Sequence, residues 1–176
     1  REVDILDKSS CRPGKSMPAQ ARVAGWRMYS RTSLKRRAPE SMNDMNETFA
    51  RAGLRVFERG WLSSNNILFE RGEPTLVDTG YFAHQEQTLQ LVREALGSRK
   101  LARIVNTHLH SDHCGGNRAL QDVYGCLIDV PEGEAEKVDR WDEGALSFQA
   151  TGQTCTRFRR TGALRAGQDV ELGKMY

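Results

Sequence analysis

Long apolar runs are missing from this 176-residue chain. Nothing in it approaches the ~20 consecutive apolar residues of a membrane-crossing helix, so no membrane partner is expected. Cysteine is scarce as well, and Cys11, Cys114, Cys126 and Cys155 include no pair at C-x-x-C spacing. That excludes a disulfide framework and suits free thiols in a reducing compartment. No segment suits a secretory signal and no repeat is visible. A cytoplasmic chain with one folded domain is expected from these bounds.

Acidic residues are sparse only at the start. The first 40 residues hold ten Lys or Arg against four Asp or Glu, a net +6, so the remainder nets −3 of the total +3. The early segment also scatters Ser, Pro and Gly without sustained periodicity, and residues 1–45 read as a basic, disordered leader. It suits a presequence, a nucleic-acid-binding arm, or sequence upstream of the true start, with Met42 or Met45 opening the compact part. The last of these is favoured. Residues 46–176 are expected to form the domain.

Histidine is the next scarcity, with four in all, and it is the most informative. His108, His110 and His113 lie within Asn106-Thr-His-Leu-His-Ser-Asp-His-Cys-Gly-Gly-Asn117. With Asp112 this is H-x-H-x-D-H, a set of imidazole and carboxylate donors suited to zinc and its neighbours. Leu101 to Asn106 reads as a buried strand, Gly115-Gly116 breaks the pattern, and Asn117–Tyr124 reads as a helix capped by Gly125. The cluster therefore sits where a strand exits into a helix, the place where open α/β sheets build sites. Alternation puts His108 and His110 on one side, and Asp112 and His113 follow as the chain turns toward a second point.

Further strands are expected at Leu54–Glu58, Asn66–Glu70, Thr75–Val77 and Cys126–Val130. Helices are expected from His84 to Leu96, stopped by Gly97, and from Pro131 toward Trp141. Leu146–Arg160 is ambiguous, and Gly167–Gly173 looks like one arm of a hairpin.

The cluster resembles the signature of the metallo-β-lactamase-fold hydrolases. The likeness extends upstream through Gly60-Trp-Leu-Ser-Ser-Asn-Asn-Ile-Leu-Phe69 and Pro74-Thr-Leu-Val-Asp-Thr-Gly80. It covers roughly residues 54 to 173, and the Gly-Gly-Asn tail is as similar to the thioester-hydrolysing branch as to the lactamases. The resemblance implies an α/β (α+β) αββα sandwich, of which this chain would be the N-terminal part. It implies that His108 and His110 hold a first metal ion and that Asp112 and His113 hold a second. Zinc is the implied metal, with iron and manganese as alternatives. A hydroxide between the ions would attack a small ester, thioester, lactone or β-lactam, and Asp112 would pass a proton to the leaving group. Asp78 would accept a ligand histidine's other N–H and fix its tautomer.

The pattern also departs from that family. No histidine follows His113, so the family's downstream ligands are unmatched and each ion would have two protein ligands where a catalytic zinc usually has three. The chain is accordingly expected to be an incomplete version, inactive alone. Two other readings compete: a non-catalytic protein with a degenerate half-site, and a nucleic-acid binder using the leader. The mildly acidic remainder argues against a polyanion partner. Among single residues, His84 is expected to be a surface or capping residue, Cys114 a small packing residue, Trp61 and Trp141 packing residues, and Arg157, Arg159 and Arg160 a solvated face. The oligomeric state is left open.

Overall fold

A computed structural model describes residues 42–173. The expected leader therefore lies outside the described residues as far as position 41. The first element, α1 (Met42–Ala52), begins four residues ahead of the expected domain start. Strands β1 (Leu54–Phe57), β2 (Asn66–Phe69) and β3 (Thr75–Val77) form an antiparallel meander. Strands β4 (Arg103–Val105), β5 (Leu127–Pro131) and β6 (Gly162–Leu164) then add in parallel, giving a six-stranded sheet in chain order.

The parallel pairs require crossover helices. α2 (Gln85–Leu96) links β3 to β4 after a short 3-10 turn at Phe82–His84. α3 (Ser111–Cys114) and α4 (Asn117–Tyr124) link β4 to β5. α5 (Glu132–Arg140) and α6 (Phe148–Thr151) link β5 to β6. This mixed α/β layer is the sheet-and-helix half expected of the sandwich.

Register explains the core. Leu68, Leu76, Ile104 and Ile128 stand opposite one another on four neighbouring strands, share one face, and are completely buried. Leu89, Val92 and Leu96 from α2 and Leu120 from α4 belong to the same apolar cluster, as the helical spacing of these residues requires. The opposite face carries Val56, Ile67 and Leu127, which are 36%, 37% and 53% exposed.

Several boundaries follow the sequence closely. α4 spans the expected residues, and Gly125 closes it in the left-handed conformation that a side chain would resist. Others differ. The helix expected from His84 starts one residue later, at Gln85, after a 3-10 turn over Phe82–His84. Gly167–Gly173 contains no strand, and the last strand among the described residues is β6, whose three residues (Gly-Ala-Leu) are too few to show period two. Trp141 packs on Phe148 and Phe158 at centroid distances of 6.0 and 5.6 Å. Trp61 does not pack: it is 86% exposed in the β1–β2 loop, beside Leu62, which adopts a left-handed φ of 61°.

Candidate functional site

Val77 pairs with Val105, so the turns leaving β3 and β4 emerge side by side. The Asp78 amide donates to the Val105 carbonyl at 3.0 Å, continuing the ladder one step past the strand. The chain then corners sharply, and Asp78 takes a left-handed φ of 57°. A non-glycine residue in that region is strained, and such strain gathers at functional sites. Here the carboxylate offsets it. Oδ1 accepts the Thr107 amide at 2.9 Å, while Oδ2 accepts the Thr107 hydroxyl at 2.7 Å and the His113 Nδ1–H at 2.8 Å. Asp78 is 4% exposed.

Both glycines after the cluster are required by close approach. A Cβ on Gly115 would stand 2.1 Å from the Phe82 amide nitrogen, and one on Gly116 would stand 2.7 Å from the Thr79 carbonyl oxygen. Their bareness lets α3 press against the Asp78–Phe82 corner. The contact is sealed by a buried polar network. The Thr79 amide donates to the His113 carbonyl at 2.7 Å and the Thr79 hydroxyl donates to Asn117 Oδ1 at 2.8 Å. Asn117 Nδ2 donates to Asn106 Oδ1 at 2.7 Å. Asn106, Asn117 and Thr79 are all buried, so each bond replaces water that cannot enter. From the other side, the Ser64 amide donates to the Asp112 carbonyl at 2.9 Å.

The expected residues are thus gathered at one strand exit. His108 lies 4.8 Å from His110 and 3.8 Å from His113 between ring centroids. The Asp112 carboxylate lies 3.4 Å from His113 Nε2. Since Asp78 engages Nδ1, Nε2 is the His113 nitrogen left facing the cluster. The rings lean on one another, however, and among the described residues no three His, Cys, Asp or Glu side chains close around one point able to hold an ion. The donor set, three imidazoles and Asp112 with a carboxylate behind one ring, nevertheless matches zinc's nitrogen and oxygen chemistry.

Electrostatics separates the imidazoles. Burial, and then the neighbouring His113 and His110, push the pKa of His108 down, favouring the neutral ring that ligates metals. His113 is also penalised by burial, but its hydrogen bond to Asp78 and the charges of Asp78 and Asp112 outweigh this and raise its pKa. Cys114 is fully buried with its sulfur 3.8 Å from that of Cys155, and this contact together with burial pushes its thiol well up. His84 stands at the start of α2, its Nδ1 2.8 Å from the Ser63 hydroxyl.

Thr79, Asn106, Thr107 and Asn117 hold the cluster in place, and sequence reasoning did not single them out. Their tripeptides (Asp-Thr-Gly, Asn-Thr-His, Gly-Gly-Asn) were visible, but spacing alone does not show that three distant turns hydrogen-bond to one another.

The profile of the metallo-beta-lactamase superfamily matches residues 59–162. A hydroxyacylglutathione hydrolase from Hyphomonas neptunium is 41% identical over 59 residues, which are 32% of this chain and 23% of that protein. Among solved structures, native FEZ-1 metallo-beta-lactamase from Legionella gormanii superposes with a TM-score of 0.57 at 16% identity, covering 69% of this chain and 47% of its own. The class B3 di-zinc metallo-beta-lactamase LRA-12 from an Alaskan soil metagenome gives 0.54 at 18% identity, covering 69% and 46%. The chain spans about half the length of these structures.

Proposed function

This chain belongs to the metallo-beta-lactamase superfamily, and from that premise we propose that it carries the histidine–aspartate part of a metal-dependent hydrolase centre. His108 and His110 would hold one zinc ion, and Asp112 with His113 a second. When bound, such ions polarise a carbonyl and lower the pKa of water toward neutrality. The chain's own groups do the rest. Asp78 accepts the His113 Nδ1–H and so keeps the Nε2 lone pair directed at the cluster. Asp112, beside that nitrogen and held through its carbonyl by Ser64, would move a proton to a leaving group. Small esters and thioesters head the substrate classes, ahead of lactones and β-lactams, because the Hyphomonas relative is named as a hydroxyacylglutathione hydrolase.

The observation carrying this reading is the buried, positively φ-strained Asp78 bonded to His113. A carboxylate behind a histidine is the standard way to orient a metal-ligating ring. The test is zinc or cobalt uptake by the full chain, followed by metal analysis and thioester turnover. Uptake that falls at least tenfold in His110→Ala and in Asp112→Asn is expected. Wild-type chain that takes up no metal sinks the proposal.

A second reading is favoured by one observation, the lack of any described three-donor group. In that reading the cluster is a half-site retained without catalysis. Metal uptake of one ion or fewer per chain, with no turnover, would select it.

A further inference from the structure

We propose that Cys114 and Cys155 form an oxidation site, a dithiol that hydrogen peroxide closes into a disulfide, stapling the histidine turn to the irregular segment ahead of β6.

The two free thiols are 41 residues apart in sequence, and no C-x-x-C spacing announces them. The fold brings their sulfurs into contact at 3.8 Å. The Cys155 thiol also points at the Cys114 carbonyl at 3.6 Å, and the Cys114 thiol at the Leu109 carbonyl at 3.7 Å. A disulfide bond is about 2.05 Å long, so the sulfurs must draw less than about 2 Å closer.

The two partners share that movement unequally. Cys114 is braced. Its amide donates to the His110 carbonyl at 3.1 Å, the His113 carbonyl before it accepts the Thr79 amide, and Gly115 and Gly116 after it press on backbone at Tyr81, Phe82 and Thr79. Cys155 is not. It lies between α6 and β6 in a stretch without helix or strand, with Thr154 and Thr156 exposed on either side. Among the described residues no backbone–backbone hydrogen bond holds Thr154, Cys155 or Thr156. The Ser111 hydroxyl, donating to Gln153 Oε1, already ties this stretch to α3. Closing the bond therefore pulls the segment onto α3 and leaves Asp112 and His113 in place.

Burial sets the order of events. Cys114 has no exposure, while Cys155 is 6% exposed in a segment one residue deep, so peroxide meets Cys155 first when that segment opens locally. The Cys155 sulfur attacks one peroxide oxygen, the O–O bond breaks, and the thiol proton leaves with the departing oxygen as water. That gives a sulfenic acid. The Cys114 sulfur then displaces the hydroxyl, which takes the second thiol proton and leaves as another water, and the S–S bond forms. Each sulfur gives up one electron and the peroxide takes both.

The test treats the reduced, metal-free full chain with a small excess of hydrogen peroxide and maps the cross-link by peptide mass spectrometry. A Cys114–Cys155 link is expected, reversed by dithiothreitol. The oxidised chain should melt about 5–15 °C higher than the reduced one, because the link closes a long loop in the unfolded chain. Amide exchange at Cys114 and Gln153 should slow at least about threefold. Cys155→Ser should lose both the link and the rise in melting temperature, whereas Cys11→Ser and Cys126→Ser should keep both. Mapping on the wild-type chain keeps the test decisive if a variant fails to fold. A sulfenic or sulfinic acid left at Cys155 without a cross-link, a link to Cys11 or Cys126 in its place, or an oxidised chain that melts no higher than the reduced one overturns the proposal.

Discussion

The two faces of the sheet are built to different standards. One carries Leu68, Leu76, Ile104 and Ile128 in register, none with any exposure, under α2 and α4. The other carries Val56, Ile67 and Leu127 with a third to a half of their surface exposed, beside the Arg103–Asp129 ion pair. The helix-covered face is the one whose strand exits are locked by Asp78, Thr79, Asn106 and Asn117. Buried polar bonds are thus concentrated behind the histidine cluster.

This contrast can be broken experimentally, most severely at the core. Ile104→Ala should cost about 3–4 kcal/mol in denaturant unfolding, whereas Ile67→Ala on the open face should cost under about 1 kcal/mol. Equal losses would show that the faces are not distinct. Gly115→Ala should be the next most damaging, at about 1–3 kcal/mol, because its methyl group would press on backbone at Phe82 and Ser111 that cannot swing aside. A near-neutral result would mean that the α3 corner is looser than its contacts indicate.

Asp78→Asn should leave the fold in place and weaken zinc or cobalt binding roughly 10- to 100-fold, since the ring loses its charged acceptor and one amide oxygen must serve the three donors that now meet the carboxylate. Metal titration with a circular-dichroism control would measure this. A smaller effect concerns pH in the metal-free protein. The pKa of His113 is raised in the fold, so its contribution to stability is fully present below the ordinary imidazole value of about 6.5 and is lost as pH climbs through the raised value. Asp78→Asn should flatten that arm of the stability profile. If the slope persists unchanged in Asp78→Asn, the Asp78–His113 pair is not its source. The mildest change should be Arg118→Ala. Its pair with Asp122 at 2.7 Å is about half exposed, and its removal should shift unfolding by no more than about 0.5 kcal/mol.

Much of this layer was legible in the sequence because local patterns determine it. Apolar spacing marked α2, and Gly125 marked the end of α4. The compact H-x-H-x-D-H run put the chemistry at the exit of β4. What stayed hidden depends on contacts between distant segments. β6 has three residues and no alternation, so only its pairing with β5 reveals it. Trp61 carries no sign in the sequence that it stands in solvent. The polar network joining Thr79, Asn106 and Asn117 spans 38 residues, and each member read alone is an ordinary turn residue.

The strand order has a consequence for synthesis on the ribosome. Because β1 through β6 lie side by side in the order in which they are translated, every new strand finds its neighbour already made, although the three parallel pairings must each wait for a crossover helix. Pairings between chain neighbours form fastest. The corner bearing Asp78 can therefore dock against the histidine loop while the segment leading to β6 is still emerging.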